Sequence, residues 1–220
     1  MHIIKQLPNG LFGKPKAVSA LAKAQTATLL CVSDSHGDYS VLSDIIINFG
    51  QKADCLVFCG DGIYDLMSII EKSFKYREIA KSLPKVIAFV RGNNDFGLVQ
   101  TSFNSKIFVP KKLILTAASR NILITHGNEE HVYYSTDILE ETARSVDCVA
   151  SIYGHTHVPF EANHTVFCIN PGSVSLPRAL SPKSFAMLEV GPNYFCPIFY
   201  SIENSITTTF TPFHPKPFFY

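Results

Sequence analysis

Five short runs along the chain carry side chains that bind metal ions: Ser33-Asp34-Ser35-His36, Gly60-Asp61, Gly92-Asn93-Asn94-Asp95, His126-Gly127 and Gly154-His155-Thr156-His157. Each follows an apolar stretch of the kind that forms a buried strand: ATLLCV, DCLVFC, KVIAFVR, NILIT and CVASIY. In open α/β sheets, ligands bind outside the carboxyl ends of the strands. The five strand ends would therefore bring Asp34, Asp61, His36, His126, His155, His157 and Asn93 to one place. Two carboxylates, four imidazoles and one carboxamide suffice for two metal ions with open positions, and they point to metal-assisted chemistry on a phosphate ester.

Taken singly, these residues say less. Asp34 and His36 are two apart, so at a strand end both can turn toward one ion; alone, Asp34 reads equally well as a helix cap. Asp61 precedes Gly62, a common turn pair, but a carboxylate there has two oxygens and can bridge two cations about 3.5–4 Å apart. Asn93 could be a turn residue or a neutral oxygen ligand. Gly-His-Thr-His is the strongest single run, because two imidazoles at one strand end face one pocket and suit Zn, Fe, Mn or Ni. Four of the eight histidines fall at strand ends beside or near glycine, together with two aspartates, and a coincidence would require every bland reading to hold at once. His2, His131, His164 and His214 lack such a setting.

Positioning these groups requires a strand over 27–33, a helix over 39–50 capped by Asp38 or Ser40, a strand over 54–59, a helical stretch over 63–82 stopped by Pro84, and a strand over 85–91. This alternation predicts a parallel sheet. Short strands follow at Lys106–Pro110 and Lys112–Ala117, then Asn121–Thr125, a helix over 136–145 and a strand Asp147–Tyr153. Beyond Gly154 the pattern turns to antiparallel strands near 164–169, 184–190, 194–201 and 206–211. The first half thus reads as doubly wound and the second as adding a β-rich sheet, giving two sheets face to face between helices. Residues 1–25 read as an N-terminal extension and 26–220 as a single domain. The aromatic, Pro-rich tail TPFHPKPFFY reads as a packed edge or a contact surface.

With 19 Lys plus Arg against 18 Asp plus Glu, the charge balance disfavours long nucleic acid as a ligand. No apolar run approaches the roughly 18–20 residues of a membrane span. The N-terminus is broken by Lys5, Pro8, Lys14, Pro15 and Lys16 and has no signal-peptide core, so a cytoplasmic location is expected. Cys31, Cys55, Cys59, Cys148 and Cys168 sit in apolar runs and read as buried free thiols.

In this order, Asp-x-His, Gly-Asp, Gly-Asn-x-Asp, Thr-His-Gly and Gly-His-Thr-His resemble the calcineurin-like metallophosphoesterase superfamily. The later run Asn170-Pro171-Gly172-Ser173-Val174-Ser175-Leu176-Pro177-Arg178 is similar to a segment of its small YfcE-like phosphodiesterases. The resemblance spans about residues 27–200. It implies an α/β fold, a four-layer α/β/β/α sandwich of two mixed sheets. It also implies a phosphodiesterase acting on a small phosphodiester through a hydroxide bridging two metals, manganese foremost, with nickel, iron or zinc as alternatives. Asp34, His36, Asp61 and His157 would hold one ion, and Asp61, Asn93, His126 and His155 the other. Many superfamily members carry a proton-donating His where this chain has Asn94, and an amide cannot act as a general acid at neutral pH; the small family often lacks His there as well. At His126-Gly127-Asn128, relatives often have a second His, at a position not expected to touch metal. Asp95 could orient a water or a ligand histidine, which makes Asp61, Asn94 and Asp95 the candidate catalytic residues. The rival reading is a metal-binding interaction scaffold of the same fold, as in a retromer subunit, and a nuclease is a third. Homo-oligomerisation is left open.

Overall fold

A computed structural model describes residues 5–102, 104–204 and 207–216. The strands are β1 (Phe12–Gly13), β2 (Ala27–Val32), β3 (Cys55–Phe58), β4 (Val86–Phe89), β5 (Leu98–Gln100), β6 (Lys106–Phe108), β7 (Lys112–Ala117), β8 (Arg120–Thr125), β9 (Ala150–Ile152), β10 (Pro159–Asn163), β11 (Phe167–Pro171), β12 (Ser184–Val190), β13 (Phe195–Asn204) and β14 (Thr208–Phe213). The α-helices are α1 (Pro15–Lys23), α2 (Tyr39–Phe49), α3 (Ile63–Ser73), α4 (Arg77–Ser82) and α5 (Asp137–Ser145). One sheet runs β1-β4-β3-β2-β12-β13-β14, a second runs β10-β11-β9-β8-β7, and β5 pairs with β6 apart from both.

Period-two alternation builds the layers. Leu29, Cys31, Cys55, Val57, Val86, Ala88, Ala186 and Leu188 of the first sheet pack in one cluster with Leu115, Ile122, Ile124, Ala150, Ile152 and Ile169 of the second. The intervening Leu30, Val32, Leu56, Phe58, Ile87, Phe89, Phe185 and Met187 meet Val41, Leu42, Ile45 and Ile46 of α2 and Ile63, Leu66, Ile69 and Ile70 of α3. On the far side, Leu139 and Ala143 of α5 pack against Leu123, Tyr153 and Cys168. The order is helices, sheet, sheet, helix: the α/β/β/α sandwich expected. Each fully buried Leu, Ile or Phe contributes about 1.5–3 kcal/mol of hydrophobic stabilisation, so the double-sided burial of β2, β3 and β4 anchors the ends that carry the chemistry.

Several details differ from the sequence reading. The stretch 63–82 is two helices: the Ser73 hydroxyl donates to the Ile70 carbonyl at 2.6 Å, and Tyr76 turns to extended backbone before Arg77. The last three strands do not build the second sheet. β12 pairs antiparallel with β2, Leu188 facing Leu29, because Ala186 and Leu188 complete the inter-sheet core and Phe185 and Met187 complete the helix-facing one. The second sheet comes from the middle of the chain, with β8, β9 and β11 parallel. β5 and β10 were not anticipated, and the strand near 164–169 is β11 at Phe167–Pro171. In the 1–25 stretch, Leu11, Phe12 and Leu21 are buried, and β1 pairs with the edge of β4. Asp38, not Ser40, caps α2, accepting from the Val41 amide at 3.3 Å. Of the tail, residues 217–220 lie outside the described residues, as does His2.

β2, β3 and β4 run parallel, as do β8 and β9, so the loops after Val32, Phe58, Phe89, Thr125 and Ile152 leave carboxyl ends of strands. The loops are tied to one another: within the first sheet the Asp34 amide donates to the Gly60 carbonyl at 2.9 Å, and between the sheets His126 Nδ1 lies 2.7 Å from the Cys59 carbonyl.

Candidate metal centre

Glycines let these loops converge. A Cβ on Gly60 would lie 2.4 Å from the Gly92 nitrogen, and one on Gly92 would lie 2.0 Å from Asp61 Oδ1. Five of the candidate ligands sit on left-handed backbone: Asp34 (φ 55°), His36 (φ 43°), Asp61 (φ 57°), His155 (φ 70°) and His157 (φ 60°). Each such residue costs on the order of 1 kcal/mol, and four of them, Asp34, His36, Asp61 and His157, gather their donor atoms in one place.

Donor atoms of Asp34, His36, Asp61 and His157 all lie within 4.8 Å of one another. His36 Nε2 and His157 Nε2 are 3.2 Å apart. His157 Nδ1 stands 2.6 Å from the Leu176 carbonyl, which only accepts, so Nδ1 carries the proton and Nε2 presents a lone pair. That lone pair lies 3.2 Å from Asp34 Oδ1, a buried oxygen with no hydrogen-bond donor. Asp34 Oδ2 is held by the Ser33 hydroxyl at 2.5 Å and the His155 amide at 3.2 Å. Two imidazoles and two carboxylates gathered this closely in a largely buried site form a group that could hold a metal ion.

The same logic recurs beside it. The Cys59 carbonyl fixes the proton of His126 on Nδ1, leaving Nε2 to face Asn93 Oδ1 at 3.2 Å and Asp61 Oδ2 at 3.5 Å. Burial favours a neutral His126, yet the Asp61 contact and the charges of Asp34 and Asp61 outweigh it and raise its pKa: the surroundings stabilise positive charge at Nε2. Burial likewise opposes ionisation of Asp61, but hydrogen bonds from His126 and Asn94 hold its carboxyl well below the usual range. His155, its ring 5.0 Å from that of His126, is lowered to about 4 by burial and the neighbouring His126 charge, and is neutral near pH 7. Asp61 Oδ2 also lies 3.7 Å from His36 Nε2, so this one oxygen stands between the two groups of ligands.

Asn94 and Asp95 are placed by Asp61. The Asn94 amide nitrogen and side-chain Nδ2 donate to Asp61 Oδ1 at 2.8 Å and Oδ2 at 2.6 Å. Asp95 accepts four backbone N–H groups: those of Asp61 at 2.7 Å, Gly62 and Ile63 at 3.0 Å, and Gly92 at 2.9 Å. It therefore caps α3 and ties the Asp61 loop to the Asn93 loop. Sequence reasoning missed three supports. Asp65 accepts from the Ser35 hydroxyl at 2.6 Å and the Gly37 amide at 2.9 Å, bracing His36. Asn170 donates to the Gly154 carbonyl at 2.7 Å and Thr156 Oγ1 at 2.9 Å, and Ser173 and Ser175 donate to the Asp34 carbonyl at 2.8 and 2.9 Å. Tyr133 donates to the His155 carbonyl at 2.9 Å. The Asn-Pro-Gly-Ser run was visible in the sequence, but its role as the brace behind Asp34, His155 and His157 was not.

A fold of two sheets between helices with Asp and His ligands converging on strand ends defines a metallophosphoesterase-type site. The calcineurin-like phosphoesterase superfamily domain matches residues 28–193, and the chain belongs to that superfamily. It is 32% identical over 170 residues to YsnB of Bacillus subtilis, named a probable metallophosphoesterase, covering 73% of this chain and 82% of that one. It is 29% identical over 167 residues to phosphodiesterase YfcE of Escherichia coli, covering 73% and 86%. Among solved structures, a conserved Streptococcus pneumoniae protein predicted to be a phosphoesterase superposes with a TM-score of 0.61 at 23% identity, covering 86% of this chain and 99% of that one. Vacuolar Protein Sorting 29 from Cryptosporidium parvum does so at 0.63 and 20%, covering 88% and 100%. These likenesses place the YfcE-like relationship and the fold together.

Proposed function

We propose that the chain is a metal-dependent phosphodiesterase with a dinuclear site, manganese first among its metals, acting on a small phosphodiester. The observation that carries this reading is the convergence of Asp34, His36, Asp61 and His157, whose donor atoms all lie within 4.8 Å of one another, with His126 Nε2 beside them at 3.5 Å from Asp61 Oδ2 and 3.2 Å from Asn93 Oδ1. Asp34, His36, Asp61 and His157 would hold one ion and Asp61, Asn93, His126 and His155 the other. Two bound divalent cations supply Lewis acidity toward phosphoryl oxygens and bring the pKa of a water toward neutrality. The chain's own residues do the rest. Asp61 offers one oxygen to both sides, and the carbonyls of Cys59 and Leu176 lock two imidazoles in the ligating tautomer. Asn94 can donate a hydrogen bond but cannot release a proton to a leaving oxygen. No helix among the described residues is long and apolar enough to cross a membrane, and we read the enzyme as working in the cytoplasm.

The test compares wild type with Asp61→Asn after loading with manganese, on bis(p-nitrophenyl) phosphate. Wild type hydrolyses the diester only with metal, and Asp61→Asn loses at least about 100-fold in kcat/KM, the upper end for lost outer-shell support and a floor for a shared ligand. A variant that keeps most activity and metal would remove the bridging assignment. Wild type that binds metal without any hydrolysis would favour the scaffold reading.

A further inference from the structure

The rim of the metal centre carries a cation that the proposed reaction does not use. Arg178 is exposed, yet it is fixed at both ends. Its amide donates to the His157 carbonyl at 3.2 Å, and its guanidinium donates to the Tyr133 hydroxyl while lying 5.8 Å from that ring. Tyr133 in turn donates to the His155 carbonyl, and its ring packs edge-on to the His155 ring at 4.8 Å. One arginine is thereby tied to both histidines of the Gly154–His157 loop. Among the described residues no carboxylate pairs with it. The chain also accepts strain to place it. Ser181 N–H donates to the Arg178 carbonyl at 3.0 Å, closing a turn whose central residues, Ala179 (φ 52°) and Leu180 (φ 57°), are both left-handed without being glycine.

We propose that Arg178, held by Tyr133, is an anion-binding arm that selects phosphodiesters bearing a second phosphate away from the scissile one; this rests on the dinuclear phosphodiesterase reading. Charge decides which phosphate it meets. Two divalent cations held there would be balanced by Asp34, Asp61, a hydroxide and the single charge of a diester. A scissile diester therefore needs no further cation. A guanidinium outside the buried ligand cluster, with a planar fork suited to phosphate and most of its N–H groups unengaged, adds binding only for an anion further along the substrate.

The manganese-loaded protein is tested on thymidine 5′-(p-nitrophenyl phosphate) and on the same compound carrying a 3′-phosphate. Scissile bond and leaving group are then identical. Wild type prefers the 3′-phosphorylated substrate by at least about tenfold in kcat/KM, expressed in KM, as one charge-assisted contact provides. Arg178→Gln brings the ratio toward one, Arg178→Lys retains part of it, and Tyr133→Phe reduces it. Calorimetry of thymidine 3′,5′-diphosphate against thymidine 5′-monophosphate shows the same advantage in wild type and its loss in Arg178→Gln. An unchanged ratio in Arg178→Gln, or no preference in wild type, overturns the inference while leaving the phosphodiesterase intact. If neither diester is hydrolysed, the phosphodiesterase reading falls, and the calorimetric comparison still decides the role of Arg178.

Discussion

At the scale of single residues, the candidate centre is a set of carboxylate and imidazole side chains, several of them held from behind by neighbouring groups. Leu176 and Cys59 take the Nδ1 protons of His157 and His126, Ser33 engages only one oxygen of Asp34, and Asn94 holds Asp61 from the backbone and the side chain. Asn94 is where the chemistry is most exposed to test. An amide gives no proton to a departing oxygen, so aryl phosphodiesters, whose leaving groups need none, should react faster than alkyl ones. Asn94→His should therefore raise rates most for the most basic leaving groups, toward the roughly 10²–10⁴ that general-acid help supplies when well placed. The check is a plot of log kcat/KM against leaving-group pKa for wild type and variant. A parallel pair of lines, with metal content equal, would show that this position does not face the leaving oxygen. The candidate ligands were legible in the sequence because each follows a strand-like run, and the structure gathers four of them, Asp34, His36, Asp61 and His157, within 4.8 Å of one another. The contacts that aim them were not: Asp95 serves four backbone amides and Asp65 a hydroxyl and an amide, and roles played toward main chain leave no spacing to read.

At the scale of elements, the site depends on side chains that fasten one segment to another. Away from the candidate metal centre, Glu140 on α5 does this for the β10–β11 turn. It is nearly buried and accepts from Thr136 Oγ1 at 3.1 Å, from Thr165 N at 3.2 Å and Oγ1 at 2.5 Å, and faces His164 Nδ1 at 3.3 Å. Burial alone would raise its pKa, but the Thr165 and Thr136 hydrogen bonds outweigh it and the pKa is lowered. A carboxyl with a folded-state pKa below its unfolded one stabilises the fold above the ordinary glutamate range and loses that contribution as pH falls through the folded value. Glu140→Gln should thus cost about 1–3 kcal/mol at pH 7, with the gap between variant and wild type narrowing in acid. Urea unfolding across that range measures it; a gap independent of pH would mean the charge contributes nothing. Helix positions were readable from apolar spacing, as in Val41, Leu42, Ile45, Ile46 and Phe49, all buried. The break between α3 and α4 was not, since a serine hydroxyl bonding back to a carbonyl ends a helix without Gly or Pro.

At the scale of the whole molecule, the alternation of strands and helices announced a parallel sheet, and the β-rich second half announced another. It could not show that β12, β13 and β14 would return to the first sheet, because apolar alternation fixes which face of a strand is buried and not which strand lies beside it. That interleaving matters to the site. It carries the chain from Asn170 through Ser173 and Ser175, where it braces Asp34, back into the edge of β2 at β12. The central claim is that this architecture holds two divalent ions. Its most direct test is elemental analysis of metal per chain after manganese reconstitution and removal of free metal, on wild type and Asp61→Asn in parallel. The account predicts close to two ions per wild-type chain and a clear loss in Asp61→Asn. One ion or fewer in the folded wild type, with no diester hydrolysis, would contradict it.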